Sequence, residues 1–192
     1  LIALSGCIAG EVSRNLINND YDAAKKTALL YNEIFGQGNY YLEVQNHGIP
    51  EEEQILPYIY RLSRETGIPA AATNDAHYVE KDDAKMQRVL LSIQTNTTVD
   101  EPNGMGFNGS EFYIKSTEEM TELFKAFPSA VSNTVKIAEQ CNVEFEFGVI
   151  KLPKFTVEGV SDNTEYFRNL CTVGMHKNYG KNPSKEVTDR LE

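Results

Sequence analysis

The sequence predicts an α/β fold with parallel strands. Three apolar runs of strand length alternate with segments of helical spacing, and helices are the usual connection between parallel strands. The runs are LIAL at residues 1–4, YYLEV at 40–44 and IPAAATN at 68–74. The third run is apolar without alternation, which suits burial on both faces of a parallel sheet. Three strands are too few to close a barrel, so we expect an open sheet or part of a barrel.

Helical segments follow the first and third predicted strands. Val12, Leu16 and Ile17 have the spacing of one helical face, and a run of good helix formers then ends at Gly36. Residues 80–95 predict a further helix after the third strand.

A longer helix is predicted between the second and third strands. Ile55, Ile59 and Leu62 fall on one of its faces. Acidic residues at 51–53 favour a start there, because the helix dipole attracts negative charge to the first turn. Pro57 offers an alternative start, since proline suits the first helical position.

The second half of the sequence changes character. Ser116 and Glu119 have capping-box spacing and predict a helix start, and Pro128 predicts another. The helix after Pro128 is expected to turn four residues toward a core: Val131, Val135, Ile137 and Ala138. The remaining segments are a loop at 97–111, a short strand FYIK at 112–115, a half-exposed strand VEFEFG at 143–148, a linker at 151–163 and an amphipathic helix at 162–180.

Composition limits the kinds of protein that fit. The chain has 192 residues, 41% of them hydrophobic, which is enough for a folded core. A net charge of −10 argues against a broad surface for a polyanion, so another region or a metal ion would have to supply positive charge to nucleic acid. Three unpaired cysteines favour a reducing compartment, and no apolar run reaches membrane-spanning length. We expect the chain to be part of a longer protein, because neither end has the features of a natural terminus.

Polar side chains follow each predicted strand where the strand ends. They are Ser5 and Cys7 after the first strand, Glu43 and His47 around the end of the second, and Asn74, Asp75 and His77 after the third. The carboxyl ends of parallel strands meet at one edge, where binding sites are commonly built. Asp75 and His77 lie two residues apart and would point to the same side of an extended segment. Carboxylate, imidazole and thiolate all bind zinc-like ions.

Simpler interpretations stay open at this point. Cys7 could be a small buried residue, Asp75 a helix cap and His77 a surface side chain. Glu43 suits a structural hydrogen bond, and His47, before Gly48 and Pro50, suits a turn. His176 is expected to face solvent, and Cys141 and Cys171 are expected to pack in a core.

Six segments together carry a resemblance to a known family. They are LIALSGCIAGEV, YYLEVQNHGIPEEEQ, IPAAATNDAHY with the following DDA, LLSIQTNTTVDEPN, FYIKSTEEMTELF and NTVKIAEQCNVEFEFG. In this order they resemble the alpha subunit of bacterial DNA polymerase III, in the later part of its PHP (polymerase and histidinol phosphatase) domain. The resemblance implies part of a distorted (β/α)7 barrel with parallel strands, followed by a mainly helical segment that leads to the polymerase palm. It divides the chain into a partial PHP domain at 1–110, the remainder of that domain at 111–150, and a linker with a first helix toward the palm at 151–192.

The resemblance also implies a metal site. Cys7, Asp75 and His77 match metal ligands of family members with an intact site, which binds divalent zinc, manganese or magnesium ions. The family's remaining ligands match no residue of this chain, and neither do the catalytic aspartates of the polymerase. We therefore expect an incomplete site here, with no catalytic residue beyond the metal ligands.

The implied activity belongs to the parent protein. Members of the family are DNA-directed DNA polymerases, nucleotidyltransferases of the bacterial cytoplasm that act on DNA with other replisome subunits. Their PHP domain resembles a metal-dependent 3′–5′ exonuclease, for which divalent ions supply Lewis-acid chemistry toward phosphoesters. A free-standing PHP phosphoesterase is one alternative, although residues 110–148 resemble the link into the palm. A structural platform without catalysis is the other, although three retained ligand types favour chemistry.

The isolated chain is expected to bind DNA weakly, because its net charge of −10 repels a polyanion. Fluorescence anisotropy with labelled primer-template DNA at low and high salt measures this. A tight, salt-sensitive complex would contradict the prediction.

Overall fold

The computed structural model describes residues 1–100 and 109–191. The chain divides into two compact units, residues 1–143 and the residues from Glu144 onward. The boundaries expected at residues 110 and 150 are domain boundaries of the longer protein, whereas these units are compact parts of this chain. The expected boundaries stay a prediction.

A parallel sheet forms the centre of the first unit. Among the described residues its strands are β1 (Ala3–Leu4), β2 (Tyr40–Val44) and β3 (Ala70–Ala72), in the order β1-β2-β3. Both pairings are parallel, with Ala3 opposite Tyr40 and Leu42 opposite Ala70. The prediction of an α/β fold with parallel strands is therefore confirmed.

Helices connect and follow these strands. In the first unit they are α1 (Glu11–Ile17), α2 (Tyr21–Phe35), α3 (Pro50–Thr66), α4 (Ala84–Thr95), α5 (Thr117–Leu123) and α6 (Ser129–Gln140). Gly36 follows the last residue of α2, as predicted. The predicted capping box is also present, since Ser116 Oγ accepts from the Glu119 N–H (3.2 Å) and Glu119 Oε2 accepts from the Ser116 N–H (2.7 Å).

Helix α3 starts at Pro50, so the alternative start at Pro57 is wrong. Pro50 occupies the first turn, where the missing N–H would have no helical partner in any case. Pro57 lies inside the helix and removes one backbone hydrogen bond. The buried face of Ile55, Ile59 and Leu62 continues on both sides of it. Packing of that apolar face against the sheet keeps the helix continuous across the proline.

The hydrophobic core lies on the face of the sheet that carries Tyr40, Leu42 and Val44. Leu42 and Val44 of the middle strand are fully buried, and so are the three alanines of β3. Helices α1, α2 and α3 pack with one another, α2 and α3 also pack against β2, and α6 packs against β3. Alanine side chains on β3 let α6 approach closely, because they add little height to the sheet surface.

The face that α6 turns to the core agrees with the predicted one only in part, since Val131 packs against the core as predicted. Ala130 and Asn133 are buried, whereas Val135 is 59% exposed. The Asn133 side-chain amide donates to the Ala70 carbonyl of β3 (2.7 Å). This buried hydrogen bond fixes the rotation of the helix, and apolar spacing alone does not predict it.

Two predicted strands are wrong. FYIK forms a single parallel bridge, between Tyr78 and Tyr113, and not a strand. VEFEFG has no regular structure, and Phe147 is 88% exposed. Alternation of apolar and acidic residues forms a strand only where a neighbouring strand can pair with it. The predicted loop at 97–111 lies partly outside the described residues, which omit 101–108.

The second unit is helical where it is regular. It contains α7 (Asn163–Tyr179) and α8 (Lys185–Leu191), and Asp162 caps α7 by accepting from the Thr164 N–H (2.8 Å). His176 is exposed, as predicted. The expected core packing of the cysteines is wrong for Cys141, which is exposed, and Cys171 is half-buried. Within the described part of the chain, no helix combines the length and the apolar character that a membrane crossing needs.

Leu42→Ala is expected to lower the free energy of unfolding by about 2–5 kcal/mol, because it leaves a cavity in the middle of the buried sheet. Leu30→Ala is the matched control, since Leu30 is 52% exposed on α2. Urea unfolding followed by circular dichroism measures both. Equal losses for the two variants would contradict the placement of the core.

Candidate metal centre

Hydrogen bonds join the carboxyl ends of the three strands. Ser5 Oγ, after β1, accepts from the Glu43 N–H of β2 (2.8 Å). Glu43 Oε1 accepts from the Thr73 hydroxyl after β3 (2.6 Å) and from the Gln45 amide (3.2 Å). Glu43 therefore makes structural hydrogen bonds, in agreement with the simpler interpretation of this residue. The network brings the loops that follow the strands to one edge of the sheet.

Cys7 lies in the turn between β1 and α1. Its carbonyl accepts from the Gly10 N–H (2.8 Å), and a Cβ atom at Gly10 would lie 2.3 Å from the Ser5 carbonyl oxygen. The turn therefore needs glycine at residue 10. The Cys7 side chain is exposed, so its interpretation as a small buried residue is wrong. Cys7 and Glu43 line the same small cavity at this edge of the sheet.

Asp75 and His77 lie side by side in the loop after β3. His77 Nε2 is 3.3 Å from Asp75 Oδ1, and the two side chains are 34% and 39% exposed respectively. The expected extended backbone is wrong, because Asp75 has a φ of +46°, in the left-handed region. The alternative role of Asp75 as a helix cap is also wrong. The next helical turn, Lys81–Asp83, is preceded by Glu80, whose N–H donates to Asp83 Oδ2 (3.0 Å).

The segment at 112–115 holds this loop in place. The Phe112 carbonyl accepts from the His77 N–H (2.7 Å), and the Tyr113 carbonyl accepts from the Asn74 side-chain amide (2.7 Å). The Ile114 N–H in turn donates to the Val79 carbonyl (3.2 Å). These contacts explain why FYIK resembles a strand in sequence, since it lies extended beside a loop and not beside a second strand.

His47 is the residue of this region whose role the sequence analysis missed. Its side chain is 1% exposed, and Glu52 in the first turn of α3 binds it twice. Glu52 Oε2 accepts from the His47 N–H (2.6 Å), and Glu52 Oε1 lies 2.8 Å from His47 Nδ1. The prediction of a turn at His47 is confirmed, since residues 47 and 48 form a bend after β2, but the buried pairing with Glu52 was not predicted. A glutamate at the third helical position reaches back to the residues before the helix, and this signal could have indicated the pair.

The second ring nitrogen of His47 faces another acceptor. His47 Nε2 lies 2.9 Å from the Asn74 carbonyl oxygen, so both ring nitrogens face oxygens that accept hydrogen bonds. A neutral imidazole donates once, whereas an imidazolium donates twice. Burial lowers the pKa of His47, but the hydrogen bonds to Glu52 and to the Asn74 carbonyl outweigh it and the pKa is raised overall. The charge of nearby Lys115 opposes this rise.

Comparisons with known proteins bear on the whole chain. The PHP domain family model matches residues 1–47. DNA polymerase III subunit alpha of Treponema pallidum is 38% identical over 193 aligned positions, which cover 100% of this chain and 16% of that protein. The Borreliella burgdorferi subunit is 38% identical over 99% of the chain and 17% of its own length. The Thermus aquaticus subunit is 36% identical over 93% of the chain and 15% of its own length.

The chain is a relative of the DNA polymerase III alpha subunits. The resemblance inferred from the six sequence segments is thus confirmed, and so is the presence of PHP-domain sequence. The chain spans about a sixth of the length of the Treponema pallidum and Borreliella burgdorferi subunits, 16% and 17% respectively.

The predicted ligands of this alpha-subunit relative are brought together in part. Asp75 and His77 are in contact, and Cys7 lies at the same edge of the sheet, in the turn after β1. Within residues 1–100 and 109–191, no group of three or more His, Cys, Asp and Glu side chains is arranged to hold a metal ion. The assignment of Cys7, Asp75 and His77 as ligands stays a prediction.

The His47–Glu52 pair makes stability depend on pH. The pKa of His47 is raised above its ordinary value of 6.5 in the folded state, so its stabilisation is fully present below that value and is lost as the pH rises through the raised pKa. Urea unfolding over a pH series should show the free energy of unfolding falling more steeply in this range for the wild type than for His47→Gln. Parallel curves for the two proteins would contradict a protonated His47.

Proposed function

We propose that the chain is a segment of a DNA polymerase III alpha subunit, and that the complete protein is a DNA-directed DNA polymerase. The observation that carries the proposal is similarity to these subunits along 93–100% of the chain, well beyond the 47 residues that match the PHP model. A free-standing PHP phosphoesterase accounts for less of the chain. The same similarity supports a distorted (β/α)7 barrel in the complete domain, with residues 1–110 and 111–150 in the PHP domain and 151–192 leading to the palm.

We further propose that Cys7, Asp75 and His77 bind divalent metal ions in the complete PHP domain. The donor set fits, since thiolate and imidazole favour zinc and the carboxylate suits manganese or magnesium as well. All three side chains are at least partly exposed at the carboxyl edge of the sheet. Asn74 Oδ1 is buried beside them without a hydrogen-bond partner among the described residues, which leaves one more oxygen at this edge.

The proposed chemistry is hydrolysis of a phosphodiester at the 3′ end of DNA. Divalent ions bound here would supply Lewis acidity toward the phosphate. The chain's own residues hold the site: the contact between Asp75 and His77 orients both donors, and the backbone bond from His77 to Phe112 fixes the loop. DNA and other replisome subunits are the proposed partners of the complete protein, in the bacterial cytoplasm. Since this chain carries a net charge of −10, other regions would provide most of the DNA contact.

A structural platform without catalysis is the second candidate. One observation favours it, namely that the described residues contain no group of three ligands arranged for a metal ion. In that case the domain would stabilise the polymerase core and contact other replisome proteins. The two candidates differ in whether the complete protein retains metal.

Elemental analysis of the full-length protein separates the candidates. Stoichiometric zinc or manganese is expected in the wild type and should fall in Cys7→Ser, Asp75→Ala and His77→Ala, because each removes a donor. His176→Ala is the matched control, since His176 is an exposed imidazole on α7. Removal of a mispaired 3′ nucleotide from primer-template DNA should fall together with the metal content. Absence of metal from the wild type would leave the platform as the function of this domain.

A further inference from the structure

We propose that His47, clamped by Glu52, is a positioning residue that sets the geometry of Asp75 and His77. The inference rests on the proposed metal site, and it assigns a role to a residue that is not itself a ligand. His47 follows β2, whereas the two proposed ligands follow β3, so the contact joins two loops that are distant in sequence.

The first step is that Glu52 fixes the His47 ring. The carboxylate binds the backbone N–H of His47 (2.6 Å) and its Nδ1 (2.8 Å) at the same time. Both side chains are nearly inaccessible, with exposures of 1% and 4%. Because one carboxylate holds both the backbone and the ring of His47 in a buried position, the ring orientation is fixed and Nε2 faces the loop after β3.

His47 contacts the backbone directly before Asp75. His47 Nε2 lies 2.9 Å from the Asn74 carbonyl oxygen. This carbonyl and the backbone nitrogen of Asp75 belong to the same planar peptide group. A hydrogen bond to the oxygen therefore holds the orientation of the backbone at Asp75. Asp75 has a φ of +46°, in the left-handed region that is uncommon for residues with a side chain, although aspartate adopts it more readily than most. The bond from His47 stabilises the peptide group that precedes this residue.

His47 also contacts the residue that holds the backbone of His77. The His47 ring stacks on Phe112, with ring centroids 4.2 Å apart and planes 9° apart. The Phe112 carbonyl accepts from the His77 N–H (2.7 Å) and from the Tyr78 N–H (3.3 Å). Displacing the ring would move Phe112 and with it the backbone of His77.

Together these contacts reach the loop from both ends. His47 touches the peptide before Asp75 and the aromatic residue that holds His77, while Asp75 and His77 lie 3.3 Å apart between them. Residues that orient metal ligands typically change metal affinity by about 10–100-fold when they are removed. A change of that size is expected for His47, with the number of bound metal ions unchanged.

Four variants of the full-length protein test the proposal. His47→Gln removes the ring, and Glu52→Ala removes the clamp. Glu52→Gln is a conservative rescue, because its amide can donate to Nδ1 while its oxygen accepts from the His47 N–H, which leaves a neutral ring donating to Asn74. Glu53→Ala is the matched surface control, since Glu53 is exposed in the same turn of α3.

Two measurements are made on each variant. Amide hydrogen exchange of the metal-free protein should be about tenfold faster or more over residues 74–79 in His47→Gln and Glu52→Ala, and unchanged over α2. Titration with Co²⁺ alone should show about 10–100-fold weaker binding in the same two variants. Glu52→Gln and Glu53→Ala should behave like the wild type in both measurements.

Several outcomes would overturn the inference. Equal rates of amide exchange over residues 74–79 in Glu52→Ala and Glu53→Ala would show that Glu52 does not hold the loop after β3. Faster local exchange with unchanged Co²⁺ affinity would leave His47 a structural residue only. If His47→Gln also speeds exchange in α2, the substitution has loosened the whole unit. The comparison of Glu52→Ala with Glu52→Gln then decides, and equal exchange over residues 74–79 in these two variants would contradict the proposal. A wild type that binds no Co²⁺ refutes the proposed metal site, and local exchange then tests the positioning of the loop alone.

Discussion

The enclosure of β2 on both faces is the constraint on which the rest of the first unit depends. Leu42 and Val44 have no exposed surface on one face, and Tyr41 is only 4% exposed on the other. The backbone of β2 pairs with a parallel strand on each side. A strand buried in this way can carry polar side chains only where it ends. Glu43 meets this requirement by accepting bonds from Thr73 and Gln45, and these bonds gather the loops at one edge. The candidate site therefore lies where burial of the sheet stops.

The alternation of apolar runs and helical spacing was enough to predict the sheet, because parallel strands and crossover helices each have a local pattern. The bounds of helices were predicted best where a particular residue type marks them, as at Gly36 and at the Ser116–Glu119 capping box. The prediction failed where a distant partner decides the outcome. The rotation of α6 depends on the bond from Asn133 to Ala70, and VEFEFG lacks the neighbouring strand that its pattern requires.

Local pattern predicted the candidate site in part as well. The position of Asp75 and His77 after a buried strand follows from the rule that parallel strands end at one edge, and their spacing predicted side chains on the same side of an extended segment. The left-handed backbone of Asp75 was not predicted, and the residue before it is held by His47 and Tyr113, which are distant in sequence. The ligand role of Cys7 comes from the resemblance to the alpha subunits, since a single cysteine after a strand carries no such signal by itself.

The contacts that hold the loop after β3 have a consequence for how the first unit folds. The bond from His47 joins residues 27 apart in sequence, and the bond from the Asn74 side chain joins residues 39 apart. The bond from Asn133 to Ala70, which seats α6 on β3, spans 63 residues. Contacts between distant residues form slowly, because the intervening chain must first lose its freedom. During synthesis the loop gains its final shape only after the segment at 112–115 has left the ribosome, so the proposed ligands become competent late in the folding of this unit.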